Sequence, residues 1–422
     1  MTATPMGCSM SEGNPSVVVL VDAFSTGALL ARHARREHRL IHVRSRAHLP
    51  ATFAASLPAE LFDEDLSYAD QADDVLHRLA ELSPVAVIAA SEFGVEVADE
   101  IAAKLGLRGN DPALSYVRRD KFYMLEAVAA AGLRTARQRR GHDVAGLLDW
   151  RRAAGLGRTV IKPLDSAGSE DVFISDSDAE IRAAVGTILG KTNLMLRTNA
   201  DVLAQEYLAG DEYIVNSVSR DGVHWFTDVW ISHKVTVRDN RRIYDCEDLL
   251  SEADPRFGEI LDYVSGVLDA LGIANGPAHT ELIYTATGPV LLETGARLSG
   301  LANPGALDRG TGVNQVDLTM DCYAGEGRAL AAQPLVYARR EQARCVNLIA
   351  HRQVPLPAQA LREQLERLPA IESVRFRIAD QMMTRPTVDL NSSPGVVFLV
   401  HQDPAEIERS YRTLRRIEHE LL

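Results

Sequence analysis

The sequence predicts an α/β fold, with a parallel α/β unit at the N-terminus and α+β character in its central and C-terminal parts. Two observations carry this. The runs SVVVLV (16–21) and PVAVIAA (84–90) are unbroken stretches of apolar, largely β-branched residues. Such runs mark strands buried on both faces, and each is followed by a helical stretch, the first from near Ala28 and the second over about 95–105. Downstream, strand candidates alternate with short Gly-containing turns. The clearest pair is 279–284 and 289–294 around a 285–288 connection, which reads as a β-hairpin.

Taken in order, residues 1–14 are small and polar, with no charged segment ahead of an apolar one. They predict a disordered leader and no secretory signal. A second strand at 38–43 and a helix at 70–82 complete a parallel unit spanning 15–112. Its first turn lacks G-x-G-x-x-G, so a dinucleotide cofactor is not supported. A central part, 113–205, holds a helix at 118–133, a strand at 158–162, a Gly/Ser-rich loop returning to a strand at 172–174, and a helix at 177–189. The remainder, 206–422, offers short strands with turns at Gly210 and Asp221-Gly222, a long helix at 256–271 and the hairpin. It closes with a helix at 358–368, a strand at 395–401 and a terminal helix at 405–421.

Composition narrows the function. Hydrophobic residues are 46% and charged residues 24% of the 422, close to the globular average, and no apolar run approaches the roughly eighteen residues that span a membrane. A formal charge of −13 argues against nucleic acid as a partner, because phosphate backbones need clustered cations. The four cysteines show neither metal-ligand nor redox spacing and fit a reducing cytoplasm. The twelve histidines form no metal cluster, and His38 and His42 straddle a loop-to-strand passage.

The hairpin carries the chemistry. Folding it about its turn sets Glu281 opposite, or within one residue of, Glu293, while Leu282, Val290 and Leu292 take the other face by the period of two. Two carboxylates across a hairpin repel unless a cation lies between them, and a hard divalent ion such as Mg2+, or alternatively Mn2+, answers that need. Arg297 adds a fixed cation for an anion the metal would bring, and His279, on the face of Glu281, is a catalytic candidate in reach of substrate or phosphate, with a packed or solvent-facing ring as the alternative. Lys162 closes an apolar strand and precedes Ser166, Ala167, Gly168 and Ser169, small residues that let backbone N–H groups approach a phosphate. No Walker P-loop is present.

The order Lys121, Lys162 with its small-residue loop, Q-E-Y-L-x-G-x-E (205–212), then paired Glu with E-x-G-x-R (293–297) resembles the ATP-grasp superfamily. GPAHTELI, GPVLLETGARLSG and TGVNQVDLTMDCYAG are similar to the branch of bacterial L-amino-acid ligases, which make dipeptides. The resemblance spans about 16–422 and implies an ATP-grasp fold behind an N-terminal parallel domain. It implies that Lys121 and Lys162 hold the α- and β-phosphates of ATP and that Ser166, Ala167, Gly168 and Ser169 close as a lid. Glu206, with the backbone of Tyr207 and Leu208, would read adenine, and Glu212 would bind the ribose. Glu281 and Glu293 would ligate Mg2+, and Arg297 would steady the transferred phosphoryl group. Ser299, Gly300, Leu301 and Asn303 would line the substrate pocket, with Lys234, placed just after a strand at 229–231, adding charge nearby. Many relatives carry Asn two residues after the second Glu, where this chain has Gly295.

The implied activity joins two amino acids into a dipeptide or γ-glutamyl-type amide through an acyl phosphate, with release of ADP and phosphate, in specialised metabolism. No protein nucleophile is needed. The alternatives are an ATP-grasp carboxylase or purine-pathway ligase, and a non-catalytic nucleotide-binding regulator. Similar proteins are commonly homodimers.

Overall fold

The computed structural model describes residues 15–49, 51–166, 168, 170–236 and 242–422. The leader and the lid positions Ala167 and Ser169 lie outside them. The first sheet is parallel and comprises β1 (Val17–Val21), β2 (Arg39–Arg44), β3 (Glu64–Ser67) and β4 (Ala86–Ala89), in the order β3-β2-β1-β4. All five residues of β1 are buried, as the apolar run requires, because helices cover both faces of the sheet. His42 is not at a strand entrance: it sits inside β2, fully buried, with Nδ1 2.9 Å from Asp65. The neighbours β1 and β4 lie where the strand order reverses, so the loops after them form a crevice at the carboxyl end of the sheet. Glu92 stands on the loop after β4.

A second, antiparallel sheet is built from β5 (Gln138–Gly141), β6 (Thr159–Pro163), β7 (Phe173–Ser175) and β8 (Val202–Glu206), ordered β5-β8-β6-β7. The helix Asp178–Ile188 starts on a capping box, with Ser177 and Glu180 each accepting the other's backbone N–H, and packs Ile181, Val185 and Ile188 against this sheet. The helix expected from residue 118 begins instead at Lys121. Asp120 accepts from the N–H groups of Phe122 and Tyr123 (2.8 and 3.2 Å) and caps it, while Pro112–Arg118 winds as a 3-10 turn.

The third sheet has eight strands: β9 (Gly210–Arg220), β10 (Val223–Thr236), β11 (Arg242–Leu249), β12 (Gly276–Thr285), β13 (Gly288–Gly295), β14 (Gln342–Asn347), β15 (Ile371–Phe376) and β16 (Gly395–His401). Their order is β13-β12-β9-β10-β11-β14-β16-β15. The helix Phe257–Ala270 lies on one face, burying Ile260, Val264, Val267 and Leu268 with Leu282 and Leu291. Gly210 enters the sheet at φ 159°, where a Cβ would fall 2.1 Å from the carbonyl oxygen of Tyr284, so the close strand approach excludes any side chain.

Arg118 ties the parts together. Its guanidinium is fully buried and donates to Asp99 (2.8 Å) of the first unit, to the carbonyl of Asp111 (2.6 Å), and to that of Leu271 (3.0 Å) beneath the third sheet. Removing one partner of a buried ion pair leaves the other charge uncompensated. Arg118→Ala is therefore expected to destabilise the chain by about 3–5 kcal/mol, read as an earlier first transition in urea unfolding followed by circular dichroism.

Candidate active site

The hairpin register places Glu281 directly across from Glu293. It also contains an irregularity that the alternation did not foresee. Leu282 pairs with Leu291, so Leu292 is an extra residue on β13. The bulge puts Leu291 in the core with Leu282 and leaves Leu292 half-buried, in place of the expected core position for Leu292. Both glutamate side chains remain partly exposed, 27% and 29%, toward one cleft.

Cations answer the two carboxylates. Lys121 Nζ lies 2.6 Å from Glu293 and donates to the carbonyl of Ser166 at 2.9 Å. Its own N–H bonds the carbonyl of Leu164, so the helix start and the loop entrance hold it together. His279 Nε2 lies 3.3 Å from Glu281. Burial opposes ionisation of Glu281, but the His279 contact and the charges of Arg297 and Lys234 outweigh it and hold its pKa below the usual carboxylate value. Among the described residues no carboxylate lies within ion-pair distance of Lys162, which is only 6% exposed on β6. Burial, with Lys121 beside it, lowers its pKa to about 8. A buried lysine facing two carboxylates but paired with neither is poised for an anion.

The donor set suits a hard divalent cation. Two aligned carboxylates supply hard oxygens, and no group of three His, Cys, Asp or Glu side chains among the described residues could hold a metal alone. Mg2+ commonly takes one or two protein carboxylates and completes its octahedron with phosphate oxygens and water.

Residues from the first unit complete the cleft, and sequence reading missed them. Glu92 receives Arg297 Nε at 2.7 Å and pairs with Arg119, which in turn donates to Asp165 at 2.7 Å. Burial alone would raise the pKa of Glu92, but Arg119, Arg297 and Lys121 together bring it down to about 2. This chain of charges orients Arg297. It also accounts for Gly295: a Cβ there would lie 2.6 Å from Glu92 Oε2, so Glu92 fills the space a side chain would need. No local motif marks Glu92, because its partner is more than two hundred residues away in sequence.

The remaining expected residues divide. Glu206 ends β8 with its carboxylate on Arg137 (3.0 Å), leaving the backbone of Tyr207 and Leu208 outside the ladder. Glu212 is engaged by Lys234 and Tyr244, each at 2.6 Å. Lys234 does not follow a strand as expected. It lies within β10, next to a bulge that sets it opposite Tyr244, and its Nζ sits 4.3 Å from the centre of that ring. Gly168 adopts φ 66°, and a Cβ there would lie 3.3 Å from the Asn391 side chain. Ser299 donates its N–H to buried Gln315, and Arg375 donates to the carbonyls of Leu301 and Ala302, so the 299–303 segment is rigidly seated. Asn303 is a helix cap whose Oδ1 accepts from Ala306 and whose Nδ2 donates to Glu372 and Ser373, leaving its side chain fully engaged by protein.

The pKa of Lys162 gives a signed expectation. Its charged form opposes folding, a cost present below pH 8 and relieved as pH rises from about 8 toward the ordinary lysine value. A polyphosphate binds the charged form, so metal-free ADP affinity should be flat at low pH and fall as pH rises through about 8. Isothermal titration between roughly pH 6.5 and 9.5 checks this, and Lys162→Met should bind more weakly with the pH dependence flattened.

Comparison with known proteins agrees with this geometry. An ATP-grasp domain matches residues 158–304, which hold Lys162, Glu206, Glu212, both hairpin glutamates and Arg297. Dapdiamide A synthase of Enterobacter agglomerans is 29% identical over 414 residues, 96% of each chain. An L-amino acid ligase from Bacillus licheniformis superposes with a TM-score of 0.72 at 18% identity, covering 96% of this chain and 98% of that one. A carboxyaminoimidazole ribonucleotide synthase from Aspergillus clavatus, complexed with ATP, reaches 0.72 at 15% identity over 97% of this chain and all of its own. These structural likenesses speak to the fold: the chain carries an ATP-grasp domain over 158–304, and along its length its sequence is similar to a dapdiamide synthase.

Proposed function

We propose that the protein is an ATP-dependent ligase that joins the carboxyl group of one amino acid to the amino group of another, in specialised metabolite biosynthesis. The observation that carries this is the rung of Glu281 and Glu293 ringed by Lys121, Lys162 and Arg297. A full-length relative that is itself a dapdiamide synthase supports amino acids as the substrate class. It also favours amide formation over the chemistry of the carboxyaminoimidazole ribonucleotide synthase that shares the fold.

A carboxylate is a poor electrophile. A carboxylate oxygen attacks the γ-phosphorus of ATP, the O–P bond forms, the bond to the β-phosphate oxygen breaks, and ADP leaves with that electron pair. The amine of the second amino acid then attacks the acyl carbon, the C–O bond to phosphate breaks, and phosphate leaves as the nitrogen loses its proton. Lys121 and Lys162 hold the phosphates, and Arg297, aimed by Glu92, meets the negative charge on the transferred group. When bound to Glu281 and Glu293, Mg2+ supplies positive charge that shields the phosphate oxygens from one another. The Tyr207 and Leu208 backbone reads adenine, with Glu206 and Glu212 contributing after release from Arg137 and from Lys234 and Tyr244. Ser299, Gly300 and Leu301 wall the acceptor pocket, and the loop at 166–169 keeps out water that would hydrolyse the acyl phosphate. No helix among the described residues is long and apolar enough to cross a membrane.

Purified protein with Mg2+-ATP and pairs of amino acids should yield ADP, phosphate and an amide in equal amounts. Glu293→Ala should lower turnover on the order of a hundredfold or more with an unchanged circular dichroism spectrum, since its side chain sits at the cleft surface. AMP and pyrophosphate in place of ADP and phosphate would overturn the mechanism.

A further inference from the structure

Asn216 and Asp228 have no part in the reaction as described, yet they stand on the same rung as His279. In the register of the large sheet, Asn216 of β9 faces His279 of β12 on one side and Asp228 of β10 on the other. Both are buried, Asp228 completely. A carboxylate at the centre of a sheet face is expensive unless donors converge on it, and here they do. Trp230 Nε1 and Asn216 Nδ2 each reach Asp228 Oδ1 at 2.5 Å, and Thr227 Oγ1 reaches Oδ2 at 2.7 Å.

That convergence fixes the next links. The indole N–H of Trp230 only donates, so Oδ1 is an acceptor and Asn216 must turn its NH2 group toward it. The amide oxygen of Asn216 then points the other way, 2.8 Å from His279 Nδ1. A carbonyl oxygen only accepts, so Nδ1 carries the hydrogen. With Nδ1 anchored, the opposite edge of the ring, Nε2, is the one held 3.3 Å from Glu281 Oε1.

We propose that Asn216 and Asp228 are positioning residues that lock neutral His279 in the Nδ1–H form, so that Nε2 turns a lone pair, and no N–H, toward Glu281 and leaves that carboxylate free for a cation. The second half rests on the ligase reading, whereas the first half is a statement about the ring alone. Carboxylate and amide partners that orient the groups around a metal commonly matter tenfold or more to its binding, without touching it.

Long-range 15N–1H correlation of the His279 ring, assigned with His279→Gln and recorded at a pH where the imidazole is neutral, reads the tautomer directly. The wild type should show hydrogen on Nδ1, against the usual preference of free histidine for Nε2. Asn216→Ala should revert to the Nε2–H form. Asn216→Leu keeps the volume without the amide oxygen, and it serves if the alanine variant fails to fold. It should likewise revert to the Nε2–H form. In parallel, Mn2+ titrated into the ADP complex and followed by electron paramagnetic resonance should bind roughly tenfold more weakly in the Asn216 variants. Hydrogen on Nε2 in the wild type, persistence of Nδ1–H in the Asn216 variants, or unchanged Mn2+ affinity in them would overturn the proposal. A wild-type ADP complex that binds no Mn2+ would count against the ligase reading, while the ring assignment would stand or fall on its own spectrum.

Discussion

Two carboxylates facing each other across an antiparallel pair set the constraint around which this molecule is arranged. Glu281 and Glu293 occupy one rung, and like charges so placed destabilise the strands that carry them. Every neighbouring element supplies part of the answer. The capped helix after Asp120 delivers Lys121, the second sheet delivers Lys162, and the segment past the hairpin delivers Arg297. The rest of that answer is a site whose cations match a polyphosphate and whose carboxylates match a hard metal ion.

The constraint propagates through charge pairs more than through apolar contact. Arg297 is held by Glu92, Glu92 by Arg119 and Arg119 by Asp165, so a guanidinium of the third sheet is aimed by a loop of the first. Such buried pairs contribute little net stability, because desolvation offsets their attraction, but they are severe about geometry. The same holds on the other flank, where Asp228 and Asn216 fix the ring of His279. Phosphoryl transfer rewards this kind of order, since it relies on positioning and preset charge and requires no nucleophile from the protein.

The parallel unit was legible in the sequence because burial on both faces leaves no polar alternation in its strands, as in 16–21. The hairpin register was legible because the turn is short and the period is two. The bulge at Leu292 was not, because both leucines are equally apolar and only packing against the helix Phe257–Ala270 selects Leu291. Lys234 was misplaced because β10 runs on past its apolar stretch, through Ser232 and His233, held by continued pairing with β11. Lys121, Lys162 and Arg297 stand in recognisable order, whereas Glu92, Arg119, Asn216 and Asp228 are ordinary charged or polar residues whose meaning comes only from partners on other strands and units. Asn303 shows the converse, a residue adjacent to the motif whose side chain is taken up by capping.

The central claim is that this charged cleft activates a carboxylate by moving the γ-phosphoryl group of ATP onto it. An amino acid labelled with 18O in its carboxyl group tests that claim most directly, with the released phosphate analysed by mass spectrometry after amide formation. The account predicts one 18O atom in each phosphate and one in the amide carbonyl, because the bridging oxygen leaves with phosphorus. Phosphate free of label, with amide still formed, would contradict it.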